Sequence, residues 1–214
     1  MKNRPLLVPA VLAVGLWIAG LVVINKFSDR IPHHPTDGQL LAWIQGNQSP
    51  ILLGGWLWML GCLAFLVFAA LLRPRLAEAE GGQHTVTTLA FTSAAIASVF
   101  GLLIQAGDMG GAINHDSISA ATAGTLHNFG DMFFIAAELA LIPFFVGVAV
   151  VALRTRVLPA WWAAFSILIA VVLLIGPIGW AALIFGTPLW LLGTGLLVSS
   201  KPHGARRAVA AATA

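Results

Sequence analysis

A carboxylic acid in the middle of an otherwise uncharged apolar run is the residue in this chain best placed to do chemistry. Between Met132 and Leu153 the only charged side chain is Glu138. Inside a bilayer a carboxylate is costly unless paired, hydrated or protonated, so such a residue points to function by default. At about 100° per helical residue, His127, Asp131 and Glu138 fall at relative angles of about 0°, 40° and 20°, a narrow stripe that also holds Phe134. Asp131 and Glu138 lie about 10 Å apart along the axis, one shallow and one deep. Unlike environments separate an acid from a base: desolvation favours the neutral form of the deeper group, hydration the ionised form of the shallower one. Asp108, His115 and Asp116 precede this stripe and cap the same outer mouth. His127 and Asp131, four residues apart, suit a proton relay better than a metal site. The candidate catalytic set is therefore Glu138, Asp131, His127 and Asp108. The competing structural role has Glu138 hydrogen-bonded to Ser98, Gln105 or Thr194 to hold helices together, with Asp131 serving a helix N-terminus.

Other chemistry-bearing residues point to less. Of the 6 histidines, His84 and His203 belong to one side of the membrane and His33, His34, His115 and His127 to the other. None sits in a His-Glu-x-x-His motif, and His33-His34 between Pro32 and Pro35 reads as a solvated loop pair. No metal and no cofactor are expected. Cys62 is the only cysteine; it excludes an intramolecular disulfide and reads as a small apolar packing residue. The chain has 8 tryptophans, 12 phenylalanines and no tyrosine. Trp43, Trp161 and Trp162 fall near predicted interfaces. Trp17, Trp56, Trp58 and Trp190 are deeper and, with Phe134, are the candidate lining of a greasy substrate pocket or the stabilisers of a cationic intermediate. Core packing is their competing role.

The elements that position these residues are membrane-spanning helices. In 214 residues, 59% are hydrophobic and 9% charged, against about 25% charged in soluble domains. A span of about 30 Å takes about 20 residues at about 1.5 Å each. The apolar runs predict an all-α, polytopic transmembrane helix bundle of about six spans: 6–24, 51–72, 86–106, 132–153, 160–177 and 178–198. These make one domain over 1–200, followed by a tail, 201–214. Continuous apolar runs exclude the alternation of barrel strands, and the first is too long for a signal core and lacks a cleavage site.

Basic residues fix the orientation. Of the 11 Lys and Arg, only Lys26 and Arg30 fall on one side; Lys2, Arg4, Arg73, Arg75, Arg154, Arg156, Lys201, Arg206 and Arg207 fall on the other. The richer side is expected to be cytoplasmic, with both termini there, in a multi-pass protein of the cell membrane. This placement accounts for the net charge of +3 without nucleic acid as a partner; membrane lipid and an apolar small molecule are the expected partners. Two long outer connections, Asn25 to Pro50 and Gly107 to Gly130, are expected to cap an outward vestibule, with Leu40 to Ile44 either a short interfacial helix or a buried loop segment. Glu78 to Gly82 reads as a flexible turn. The boundary Ile175-Gly176-Pro177-Ile178-Gly179 separates the last two spans or forms a re-entrant turn.

Leu153 to Trp162, followed by Gly176-Pro177-Ile178-Gly179-Trp180 and Pro188 to Gly193, resembles the C-terminal third of uncharacterised small membrane proteins common in actinobacteria. The size, helix count and buried acid are similar to those of small integral-membrane terpene cyclases, which protonate a prenyl chain with a carboxylic acid. That resemblance implies a membrane-embedded cyclase or isomerase acting on an apolar or isoprenoid substrate by acid catalysis. A proton-coupled small-molecule transporter or channel component, using Glu138 and His127 as a relay, is the alternative, and it would need a homo-oligomer. A structural or accessory membrane subunit is the third.

Overall fold

The structure, a computed structural model, describes residues 6–31 and 34–199. Seven helices follow one another: α1 (Leu7–Phe27), α2 (Asp37–Gly46), α3 (Gln48–Glu80), α4 (Thr85–Ile113), α5 (Ala120–Thr155), α6 (Ala160–Leu174) and α7 (Gly176–Ser199), the last carrying one π-helical turn at Ala182–Gly186. Local chemistry sets their ends. Thr36 and Gln39 close a reciprocal capping box on α2, and the Ser119 hydroxyl accepts from the backbone of Thr122 at the start of α5. α3 stops at Gly81 and Gly82, both at positive φ (67° and 62°), where glycine adopts a left-handed backbone without a Cβ penalty. Between α6 and α7 only Ile175 leaves the helix, and Pro177 occupies the first turn of α7, where its missing N–H costs nothing.

Five helices, α1, α3, α4, α5 and α7, are long and apolar enough to cross a membrane. α6 has 15 residues, about 22 Å of helix. It forms an antiparallel hairpin with α7: the Trp162 indole donates to Thr194 Oγ1 (2.8 Å), that of Trp190 to Ser166 Oγ (2.7 Å), and Ile169 faces Gly186. The fold is thus an all-α bundle of about six passes. Leu7 packs on Gly195, so the first and last described helices begin and end at the same end of the bundle. Outward faces carry bare apolar side chains such as Leu53, Leu63, Ile135 and Leu168, a pattern stable against lipid and not against water.

Neighbouring helices meet through small residues. A Cβ on Gly107 would collide with the carbonyl of Leu126, and one on Gly130 would lie 2.7 Å from that of Ile104, so α4 and α5 approach at backbone distance. Gly20 and Gly54 do the same for α1 and α3. Between these pairs lies an aromatic core in which the fully buried Trp190 meets Phe68, Phe144 and Phe145 edge-on.

The helices overrun the apolar runs that announce them. α3, α4 and α5 have 33, 29 and 36 residues, because backbone hydrogen bonding continues past the hydrocarbon wherever a neighbour covers the helix. Two expectations are corrected by this. The supposed loop from Gly107 to Gly130 is mostly helix, leaving only residues 114–119 as the connection; Gly107, Gly111, Gly124 and Gly130 serve close packing rather than turns. Glu78 and Glu80 likewise belong to α3, and Glu80 accepts from the backbone N–H groups of Val86 and Thr87 at the start of α4. Leu40 to Ile44 is helical, within α2. The tail, with Lys201, His203, Arg206 and Arg207, lies outside the described residues, as do Lys2, Arg4 and His33.

Candidate functional site

Glu138 occupies the middle of α5 and is 4% exposed. Among the described residues nothing hydrogen-bonds to it or pairs with it. The three partners that a purely structural role would use are engaged or elsewhere: Ser98 donates to the Ala94 carbonyl (2.9 Å), Thr194 accepts from Trp162, and Gln105 packs beside Gly55. What covers the carboxyl is backbone. Gly179 is the one buried residue of Gly176–Ala181, and a Cβ there would stand 2.9 Å from Glu138 Oε2 and 3.2 Å from Oε1. The start of α7 therefore closes over the acid, and a side chain at position 179 would require the carboxyl to shift.

One residue from Glu138 along α5, Ala137 lines a narrow apolar pocket of about 40 Å³ together with Leu141; Glu138 itself is not part of the lining. Its other walls come from α1 (Trp17), α3 (Trp58, Cys62, Phe65), α4 (Ser98, Gly101) and the π turn of α7 (Leu183, Ile184). A π turn inserts one residue into the helical ladder and is frequent at functional sites. Trp58 is fixed by donating its indole N–H to the Gly101 carbonyl (2.9 Å). The Trp17 indole N–H is buried and finds no acceptor at hydrogen-bonding geometry among the described residues, with the Cys62 thiol beside it. Ile18, Leu21, Ile184 and Pro188 line both this pocket and a groove between α1 and α7 on the apolar flank of the bundle. These four side chains are thus the common wall between the pocket and the lipid-facing groove.

The remaining candidates sit elsewhere. His127 Nδ1 lies 3.0 and 3.2 Å from the two carboxylate oxygens of Asp108, across the close α4–α5 contact at Gly107. The Trp43 ring stands edge-on to the imidazole at 6.5 Å, and its own N–H donates to the Asp29 carbonyl (2.8 Å), which pins α2 over the pair. Asp131 is exposed and acts on His127 electrostatically without a hydrogen bond. His127 and Glu138 are about 16 Å apart along α5. The expected stripe therefore divides in two: His127 with Asp108 at the α2 end, Glu138 alone under Gly179. His115 bonds locally to the Ala112 carbonyl and faces Asp116.

Of the aromatic candidates, Trp17 and Trp58 line the pocket, Phe134 is half-buried, Trp190 is packed in the core, and Trp56 is 59% exposed on the outer flank of α3. Among the described residues no group of three or more His, Cys, Asp or Glu could hold a metal. Sequence reasoning missed Gly179 as the cover of Glu138, Trp43 as the neighbour of His127 and Cys62 as a pocket wall. The Gly176-Pro177-Ile178-Gly179 run carried a signal for the first, since a glycine just inside a helix start has a contact to explain; the other two depend on packing between helices distant in sequence. No family model, curated protein or solved structure matches the chain.

Proposed function

We propose that this protein is a membrane-embedded enzyme that draws an apolar, isoprenoid-class molecule sideways from the bilayer and acts on it by acid catalysis, with Glu138 as the proton donor. The observation that carries this reading is a buried, unpartnered carboxyl one residue along α5 from the wall of an apolar pocket, which shares Ile18, Leu21, Ile184 and Pro188 with a groove on the bundle flank. In a site without polar partners, a carboxyl is least costly in its neutral, proton-bearing form.

The step is a proton transfer. The O–H bond of Glu138 breaks, a C–H bond forms at an alkene carbon of the substrate, and the positive charge left on the neighbouring carbon is stabilised by the faces of Trp17, Trp58 and Phe65. Loss of a proton from the rearranged cation back to the Glu138 carboxylate closes the cycle. Glu138 lies about 60° around α5 from the pocket-lining Leu141, so a rotamer change beneath Gly179 turns the carboxyl to the substrate. A relay of protons from His127 to Glu138, as a transporter would need, has about 16 Å of α5 to bridge and no polar side chain on the way in contact with Glu138. On the same reading the end carrying Arg73, Arg75, Arg154 and Arg156 faces the cytoplasm.

The test is to identify molecules that co-purify with the wild-type protein by mass spectrometry, then to incubate the isoprenoids found with wild type and Glu138→Gln. Conversion by wild type and retention without conversion by the variant support the reading. Equal conversion by both removes Glu138 as the acid.

A further inference from the structure

The groove between α1 and α7 has one polar end. Its apolar walls, including Val14, Ile18, Val22, Pro188 and Leu189, finish at Asn25 and Lys26. From there a mixed polar pocket continues over Lys26, Asp29 and Arg30 to Trp43, sharing Asn25 and Lys26 with the groove. Lys26 and Arg30 are exposed, and neither forms an ion pair with any described residue. They are also the only lysine and arginine in the sequence between Arg4 and Arg73. Lys26 thus stands at the end of the apolar groove and Arg30 in the polar pocket that adjoins it, with Asp29 as the only carboxylate in that pocket. Asp29 is itself tied down, its N–H donating to Asn47 Oδ1 (2.9 Å) and its carbonyl accepting from Trp43.

A cationic rim above a greasy lane is the complement of an anionic head on an apolar tail. From Lys26 to Ile18, where groove and pocket join, is about 12 Å along α1, and Trp17 and Trp58 stand behind. Ile18, Leu21, Ile184 and Pro188 wall both the groove and the pocket, so a single chain, as an isoprenoid has, lies along them. Two cations, one a point charge and one a planar fork, match a phosphate ester of about −1.5 to −2 better than a carboxylate. We infer that the substrate is a single-chain isoprenoid phosphate, its phosphate held by Lys26 and Arg30 and its chain running down the α1–α7 groove towards Trp17 and Trp58. This rests on the reading that the pocket takes up an isoprenoid chain.

The experiment measures binding of farnesyl phosphate and of farnesol to the full-length protein in phosphatidylcholine nanodiscs, with wild type and with Lys26→Gln/Arg30→Gln. Two charge-assisted contacts should make farnesyl phosphate bind about tenfold tighter than farnesol. The double variant should bring the two ligands level and leave farnesol binding unchanged, which also reports that the fold is intact. Equal affinity of the two ligands for wild type, or no effect of the double variant, overturns the headgroup assignment. Displacement of farnesyl phosphate by phosphatidylglycerol, or equally tight binding of palmitate, overturns the isoprenoid phosphate in favour of another anionic lipid. Failure of farnesol itself to bind overturns the underlying pocket reading instead.

Discussion

The carboxyl of Glu138 lies directly beneath the backbone of Gly179, and among the described residues no side chain hydrogen-bonds to it. The two residues therefore share one space, and their substitutions should interact. Gly179→Ala places a methyl 2.9 Å from Oε2 and should destabilise the protein by about 1 kcal/mol, the low end of overpacking, because the carboxyl can shift. Glu138→Ala vacates that space, so in the double variant most of the alanine cost at 179 should vanish, a coupling of about 1 kcal/mol. Thermal unfolding of the four proteins in one detergent checks it; additive losses would mean that the carboxyl does not sit under Gly179.

Gly107→Ala should be worse. Its methyl meets the carbonyl of Leu126, and a backbone group in a neighbouring helix cannot swing aside as a glutamate side chain can. Separation of α4 from α5 along this contact should cost about 3 kcal/mol or more and lower the yield of folded protein. Gly110→Ala, on the same helix with open space around it, is the control and should cost little, since alanine is the better helix former. Comparable losses in the two would refute the close approach.

The contrast between these glycines shows where the sequence is legible and where it is not. Helical passes follow from apolar run length, and the residue Glu138 stands out because it is the only charge in its run. A glycine cluster such as Gly107 to Gly111 reads equally as a loop or as a packing seam, and only the neighbouring helix decides. The same limit applies to side-chain grouping. Helical angles place His127, Asp131 and Glu138 on one stripe of α5, but α5 touches different partners along its length: α4 and α2 around His127, the α6–α7 hairpin around Glu138. Angular position is a property of one helix, whereas the site is a property of several.

His127 and Asp108 should prove to be a stability pair rather than a catalytic one. Their side chains are 23% and 16% exposed, and loss of the hydrogen bond should cost about 1 kcal/mol. His127→Ala, Asp108→Ala and the double variant should show non-additive losses in thermal unfolding, since either single change already breaks the bond. Turnover of an apolar substrate, once one is found, should persist in all three. A loss of turnover in His127→Ala without a loss of stability would instead restore the imidazole to the mechanism.

The topology is open to direct measurement. Because Leu7 packs on Gly195 and α6 and α7 form an antiparallel hairpin, fusions after Gly81 and at Ala205 should report the same compartment, and one at Ser117 the opposite one. On the proposed orientation, the first two are expected to read cytoplasmic. A split between Gly81 and Ala205 would mean that α6 and α7 together do not cross twice.

Glu138→Gln bears most directly on chemistry. Glutamine keeps the length and shape of the side chain under Gly179 and removes only the transferable proton, so the variant should fold with a melting temperature close to that of wild type. The pocket walls at Ala137, Leu141, Trp17 and Trp58 are untouched, so an isoprenoid should still bind. Conversion should fall by about 100-fold or more, the usual contribution of a positioned general acid. Asp131→Asn, which alters an exposed carboxylate about 10 Å away along α5, should leave conversion within about twofold of wild type. Three measurements on the same preparation, unfolding, ligand retention and conversion, separate the possibilities. Loss of conversion with the other two intact is the signature of an acid, and loss of retention would make Glu138 a binding group. If all three survive in Glu138→Gln, the buried carboxyl has no part in turnover and the chemistry must lie with another group.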